Sequence, residues 1–303
     1  MADLIPAFRG AVQAHHCDQM GHVNVQFYAR MSAEGLGHVA AAAGFGPARQ
    51  RAEGLGLRAA RERVAYRREL RLGAAVSIGL GVRGLSDGKV HLVGVLKDDG
   101  AGEIAARFET WVEAYETASG AAAPWPADVA DRFAALARDW PDHPPPRHPA
   151  RRLPAAPPAG LLATHQVIAN PWDCDLTGRL TRRGTVDCFS SAAGQIMAAV
   201  GLDHDRIAKA RIGAAAVDYD LIFRHPIQSG EILRVESGVL GVDDRTIAFQ
   251  HYLTLAGTGR VAATLAMVVV MLDLETRKRL AIPAEIQDKA RALAARTAAT
   301  SRP

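Results

Sequence analysis

The chain has 303 residues, 49% of them hydrophobic and 22% charged, with a net charge of +4 and a pI near 9.1. That is a globular composition, long enough for one large domain or two ordinary ones, and it excludes a disordered chain. Three cysteines (Cys17, Cys174, Cys188) give no disulfide framework, so a reducing cytoplasm is the expected compartment.

The longest apolar run, Val261 to Leu272, is too short to span a bilayer, and no membrane partner is expected. The cations are mostly arginines scattered among alanines, with no basic block interleaved with aromatics, which argues against nucleic acid. A modest positive excess suits a small polyanionic ligand.

In chain order, a short strand leads into His15 to His22, eight residues holding three histidines, Cys17 and Asp18, with a turn at Gly21. A helix follows over Gln26 to Ala43, stopped by Gly44 in the manner of a C-cap. Four strands come next, Leu57–Leu70, Ala75–Leu85, Lys89–Lys97 and Glu103–Glu116, then a short helix after Pro126. The segment Trp140 to Ala163 holds eight of the sixteen prolines, which favours extended backbone and reads as a linker. The expected division is residues 1–139, a linker at 140–163, and 164–303.

The two halves match without a gap at one offset of 157. Cys17-Asp18 falls on Cys174-Asp175, Gly21 on Gly178, Gly44 on Gly201, Gly73 on Gly230, Asp87 on Asp244 and Pro126 on Pro283. Glycines, aspartates and a proline in register read as a tandem duplication. The second copy's long helix is expected over Val186 to Val200, and a C-terminal helix over Ile286 to Thr297. One long helix between a leading strand and an antiparallel run implies an α+β layer in each copy, a sheet wrapped around the helix.

Asp18-Gln-Met-Gly-His-Val-Asn, with Tyr28 seven residues after Gly21, resembles the motif of the 4-hydroxybenzoyl-CoA-thioesterase-like hotdog family. The resemblance covers Phe8 to Pro126 and His165 to Pro283. It implies a double hotdog whose copies pack as a pseudo-dimer, acting as an acyl-CoA thioesterase without a metal or cofactor. In copy two, Arg179, Thr181 and Thr185 replace His22, Asn24 and Tyr28, and Ser191 replaces Glu34, so one working site around copy one is expected and the site at Asp175 is degraded.

The resemblance places Asp18 as nucleophile or general base, with His22, Asn24 and Glu34 as its helpers. Helix-start amides lack intrahelical acceptors, so an N–H between Val23 and Val25 is the expected oxyanion donor, with Gly21 allowing close approach. Tyr28, Arg67, Arg68, Lys89 and Arg245 are the substrate-binding candidates. Each has a plain alternative: Asp18 as a turn or helix cap, Tyr28 as helix packing, Glu34 and the cations as solvated surface. His15 and His16 read as strand or surface residues, since alternation points neighbours to opposite faces. A zinc site from His15, Cys17 and His22 matches no recognised ligand spacing.

Comparing the copies adds two expectations. Arg61 and Arg63 fall opposite Asp218 and Asp220, which would favour pairing of unlike copies. The last strand of copy two, VAATLAMVVVML, is apolar on both faces, so the linker, the C-terminal helix or another chain must cover it, an intrachain cover being favoured and a further homo-oligomer second. The rival functions are a hotdog enoyl-CoA hydratase or dehydratase and a non-catalytic acyl-CoA-binding protein.

Overall fold

A computed structural model describes residues 4–142, 144 and 153–299. They fall into two units, Met1–Pro145 and Pro146–Pro303, each taken by itself below. The proline-rich stretch at 143 and 145–152 lies outside the described residues.

Unit 1 runs β1 (Ile5–Ala11), a 3-10 turn (Ala14–His16), α1 (Val25–Ala42), α2 (Pro47–Glu53), β2 (Leu55–Tyr66), β3 (Ala75–Ser86), β4 (Lys89–Asp98), β5 (Glu103–Glu116), β6 (Ala122–Ala123) and α3 (Ala127–Leu136). Its sheet is antiparallel in the order β1-β3-β4-β5-β2. Helix α1 buries Phe27, Met31, Leu36 and Val39. At Gly35 an added Cβ would sit 2.8 Å from Leu80 and 2.9 Å from Ala7, so this helix position must be glycine for the helix to lie so close to the sheet. The helix ends as expected. Gly44, at φ +72°, donates its N–H to Ala41, and the Phe45 N–H reaches Ala40, a complete Schellman motif.

Unit 2 repeats the plan: β7 (Leu162–Ile168), a 3-10 turn (Pro171–Asp173), α4 (Arg182–Ala199), α5 (His204–Ala210), β8 (Ile212–Phe223), β9 (Ile232–Val242), β10 (Ile247–Leu255), β11 (Arg260–Asp273), β12 (Arg279–Leu280) and α6 (Ala284–Ala299). Its sheet order is β7-β9-β10-β11-β8. Each unit is thus a long helix on an antiparallel sheet, the α+β hotdog arrangement that the sequence implied.

Four local expectations need correction. His15 and His16 stand in a 3-10 turn rather than a strand, so alternation does not govern them. Strand β2 stops at Tyr66, because the Arg67 and Arg68 N–H groups both turn to the Ala105 carbonyl. Helix α4 starts at Arg182, four residues before Val186, because the Thr181 hydroxyl caps it by accepting the Gly184 N–H at 3.1 Å. The short helices α2 and α5 were not foreseen.

The first half of the apolar last strand of unit 2 has an intrachain cover. Leu153, from the proline-rich segment, is buried against Tyr252 and Val261, with Leu161 and Ala266 beside it. The Arg224 guanidinium holds this cover down by donating to the Leu153 carbonyl at 3.0 Å. In unit 1, Arg63 donates to Glu109 at 2.9 Å and Arg61 lies over the Trp111 ring.

The core of unit 2 encloses a polar chain. Thr164 bonds Ser237 at 2.6 Å, and Ser237 bonds His251 Nδ1 at 2.7 Å, with His251 fully buried. Copy one has Ala7, Leu80 and Gly94 at these places. Burial pulls the His251 pKa down to about 3. The folded state therefore binds fewer protons than the unfolded chain below pH 6.5, and stability falls as pH drops from there toward 3. Replacing His251 with Gln should flatten this part of the pH–stability curve, read as denaturant midpoints between about pH 7 and 4. An unchanged slope would show that His251 does not set it.

Candidate active site

The site grows from the turn after β1. Gly21 has φ +75°, a left-handed conformation that tightens the turn, and its N–H returns to the Asp18 carbonyl at 3.0 Å. The Asp18 N–H bonds the His22 carbonyl at 3.0 Å, which brings the side chains of residues 18 and 22 together. Asp18 Oδ1 accepts the Met20 N–H at 2.9 Å, leaving Oδ2 3.4 Å from His22 Nε2. On the far side of the ring, His22 Nδ1 lies 2.9 Å from Glu69 Oε1. Glu69 is pinned there because the Val23 N–H bonds the carbonyl of the next residue, Leu70, at 2.9 Å.

His22 is 9% exposed. Burial by itself would lower its pKa, but the hydrogen bonds and charges of Asp18 and Glu69 outweigh that and raise it to about 9. At neutral pH the ring is an imidazolium donating one N–H to each carboxylate. It orients the Asp18 carboxylate and can supply a proton to a departing group.

The helix-start amides divide. The Val23 N–H is spent on Leu70, the Asn24 N–H on the His16 carbonyl at 2.9 Å, and the Gln26 N–H on Asn24 Oδ1 at 3.1 Å. Val23 is therefore corrected: its amide cannot serve an oxyanion. The Val25 N–H has no protein acceptor among the described residues and stands at the first helical position, where the partial positive charge of the helix concentrates.

Most of the remaining candidates scatter. Asn24 caps α1 with its side-chain oxygen. Tyr28 is 3% exposed, meets Tyr66 edge to face at 5.1 Å and lies against the Leu70 backbone, so it packs next to Glu69 within the site. Glu34 is exposed and pairs with Arg30 at 3.0 Å, outside the Asp18–His22–Glu69 group. Arg68 pairs with Glu103, Lys89 with Glu113 at 3.6 Å and Arg245 with Asp244 at 3.7 Å, while Arg67 is exposed. A zinc site with His15 and Cys17 is ruled against by His22, whose two ring nitrogens both face carboxylates.

Glu69 was missed, since it lies 47 residues from His22. The copies carried a signal: at the offset of 157, His22 falls on Arg179 and Glu69 on Pro226, so copy two lost both together. Its turn persists, with Gly178 at φ +74° and the Asp175 N–H on the Arg179 carbonyl at 2.7 Å. There Asp175 Oδ1 takes the Thr177 N–H, the Thr177 hydroxyl and the Arg179 N–H.

A thioesterase-like superfamily profile matches residues 12–133 and again residues 169–290, the same offset of 157. The chain belongs to the thioesterase-like superfamily. It is thus an enzyme of the thioester-hydrolase class. A betainyl-CoA thioesterase of Pseudomonas aeruginosa is 25% identical over 134 residues, 44% of this chain and 84% of that protein. The 12:0-ACP thioesterase of Umbellularia californica superposes with a TM-score of 0.65 at 15% identity, covering 86% of this chain and 92% of its own. An acyl-ACP thioesterase of Bacteroides thetaiotaomicron gives 0.64 at 12% identity, covering 86% and 96%. These two likenesses establish the double-hotdog fold.

The carboxylate sandwich has a signature in solution. Because the folded pKa of His22 is raised, its contribution to stability is complete below pH 6.5 and disappears as pH rises through about 9. Glu69→Gln should bring the His22 titration, followed by NMR of its ring proton, well below 9, and should remove the loss of stability seen in wild type between those values. A His22 titration unmoved by Glu69→Gln would mean that Glu69 does not hold the ring.

Proposed function

We propose that unit 1 hydrolyses an acyl-CoA thioester to the free acid and CoA, with Asp18 at the reacting centre. The observation that carries this reading is the ordered group Asp18–His22–Glu69, with the open Val25 amide three residues after His22 at the start of α1. As general base, Asp18 takes a proton from water, whose oxygen attacks the thioester carbonyl. As nucleophile, it attacks directly, and water then cleaves the anhydride. In either case the carbonyl oxygen gains charge next to the Val25 N–H, and the CoA thiolate leaves with a proton drawn from the Asp18–His22 pair. Glu69 keeps His22 charged and aligned, a positioning role. The other helix-start groups are engaged within the protein.

Arg67 is the candidate for a CoA phosphate, since Arg68, Lys89 and Arg245 already face carboxylates. The name of the Pseudomonas relative puts betainyl-CoA on the panel of acyl groups to test. The pseudo-dimer stays part of this proposal. So does a cytoplasmic setting, for which the three free thiols speak.

Release of free CoA thiol from an acyl-CoA panel tests the reaction. Loss of the conjugated enoyl absorbance without thiol release would mark a hydratase, and saturable binding without turnover an acyl-CoA-binding protein. Asp18→Asn should lower kcat by roughly 10²–10⁴, whereas Asp175→Asn should leave it unchanged. Val25→Pro isolates the amide. Proline suits the first helical position, and Asn24, at φ −67° and ψ 142°, already has the extended backbone that precedes proline. This variant should fold with a wild-type melting temperature yet lose about 10²–10³ in kcat. Full activity in a folded Val25→Pro enzyme would remove that amide from the mechanism.

A further inference from the structure

A cavity of about 230 Å³ opens between the outer side of β1 and the first turns of α1, in unit 1. Phe8, Phe27 and Met31 give it apolar walls, and His15, His16 and Arg30 supply its ionisable groups. Among the described residues no carboxylate lines it. None of these residues belongs to the Asp18–His22–Glu69 group.

Gln13 adds an amide to this polar lining. His16 is 8% exposed, and its Nδ1 accepts the Gln13 N–H at 3.0 Å, which places the proton of the neutral ring on Nε2. Burial, with the neighbouring charges of His15 and Arg30, lowers the pKa of His16 and keeps the ring neutral. The Nε2–H is buried without a partner and closed off from the cavity, so the ring serves as a wall of it. Arg30 uses Nε on Glu34, and its two terminal nitrogens have no partner among the described residues.

Copy two has dismantled this cavity. At the offset of 157, His16, Phe27 and Arg30 become Asp173, Gly184 and Asp187. A Cβ at Gly184 would meet Leu180 at 2.6 Å and Asp173 at 3.3 Å, so those side chains fill the space that the Phe27 ring occupies in copy one. The charge has changed sign as well.

We propose that this groove is a binding site for a small organic monocarboxylate with an apolar body. The apolar part would lie among Phe8, Phe27 and Met31, and the carboxylate would take hydrogen bonds from the terminal nitrogens of Arg30. At roughly 30 Å³ per water, the space equals seven or eight waters, the size of benzoate or a short-chain acid. The chemical class matches the acid that thioester hydrolysis releases, but the groove is separate from the reacting centre and the proposal stands without that reading.

Benzoate is the probe, with benzyl alcohol as its uncharged counterpart, titrated into protein carrying ¹³C-labelled histidine and followed by NMR. Benzoate should bind saturably and shift the His16 resonances, and benzyl alcohol should bind at least about tenfold more weakly. Arg30→Gln, a half-exposed helix position, should fold normally and lose benzoate affinity by a similar factor. Met31→Trp should block binding, and if it fails to fold, Arg30→Gln decides alone. Asp18→Asn should bind benzoate as wild type does. Three results would overturn the proposal: no saturation up to roughly 10 mM benzoate, affinity unaltered by Arg30→Gln, or binding abolished by Asp18→Asn, which would place the acid at the reacting centre instead.

Discussion

The constraint on which unit 1 depends is a buried imidazole held between two carboxylates. At 9% exposure His22 carries its charge because Asp18 and Glu69 face its two ring nitrogens. Such an arrangement is uneven in its energetics. Complete, it offsets the desolvation of three ionised groups; with one member missing, a buried charge is left without its partner. The carboxylates outweigh burial and raise the His22 pKa to about 9.

Backbone bonds make the sandwich geometrically possible. The Asp18–Gly21 turn sets residues 18 and 22 side by side, and the Val23–Leu70 bond draws the end of β2 up to them. The same bond consumes the Val23 amide, and the Asn24–His16 bond consumes the next one. Fixing the site thus leaves the first helical residue, Val25, as the position where an N–H remains open. The backbone bonds that fix the turn thus use the helix-start amides in sequence order and stop short of Val25.

What was legible in the sequence follows from the range of each interaction. The Asp18-x-x-Gly21-His22 turn and the glycine stops of α1 and α4 are local, and they could be read directly. The duplication was legible because its register holds without a gap. Glu69 was not, because its meeting with His22 depends on a bond between the helix start and the chain beyond β2 that no local pattern announces; only the paired replacement by Arg179 and Pro226 records it. The start of α4 was placed too late because Gly184 and Thr185 look unhelical, while the Thr181 cap and the close packing of Leu180 on Gly184 hold them in the helix. Helix α2 escaped because PARQRAE buries no residue, so it has no apolar face to read.

The second copy separates two duties that one aspartate combines. In both turns Oδ1 accepts the N–H two residues on, Met20 in one and Thr177 in the other, and the glycine φ values agree to within a degree. This contact belongs to the turn, and it survives where the histidine is gone. In copy two the same oxygen also gathers the Thr177 hydroxyl and the Arg179 N–H, and the Arg179 guanidinium closes over Thr177 at 2.9 Å. In copy one the second oxygen is turned to His22 instead. An asparagine at residue 18 would keep the acceptor that shapes the turn while removing the charge that His22 answers, whereas an alanine would remove both. The turn contact of Asp18 and its contact with His22 are therefore compatible: one oxygen serves each.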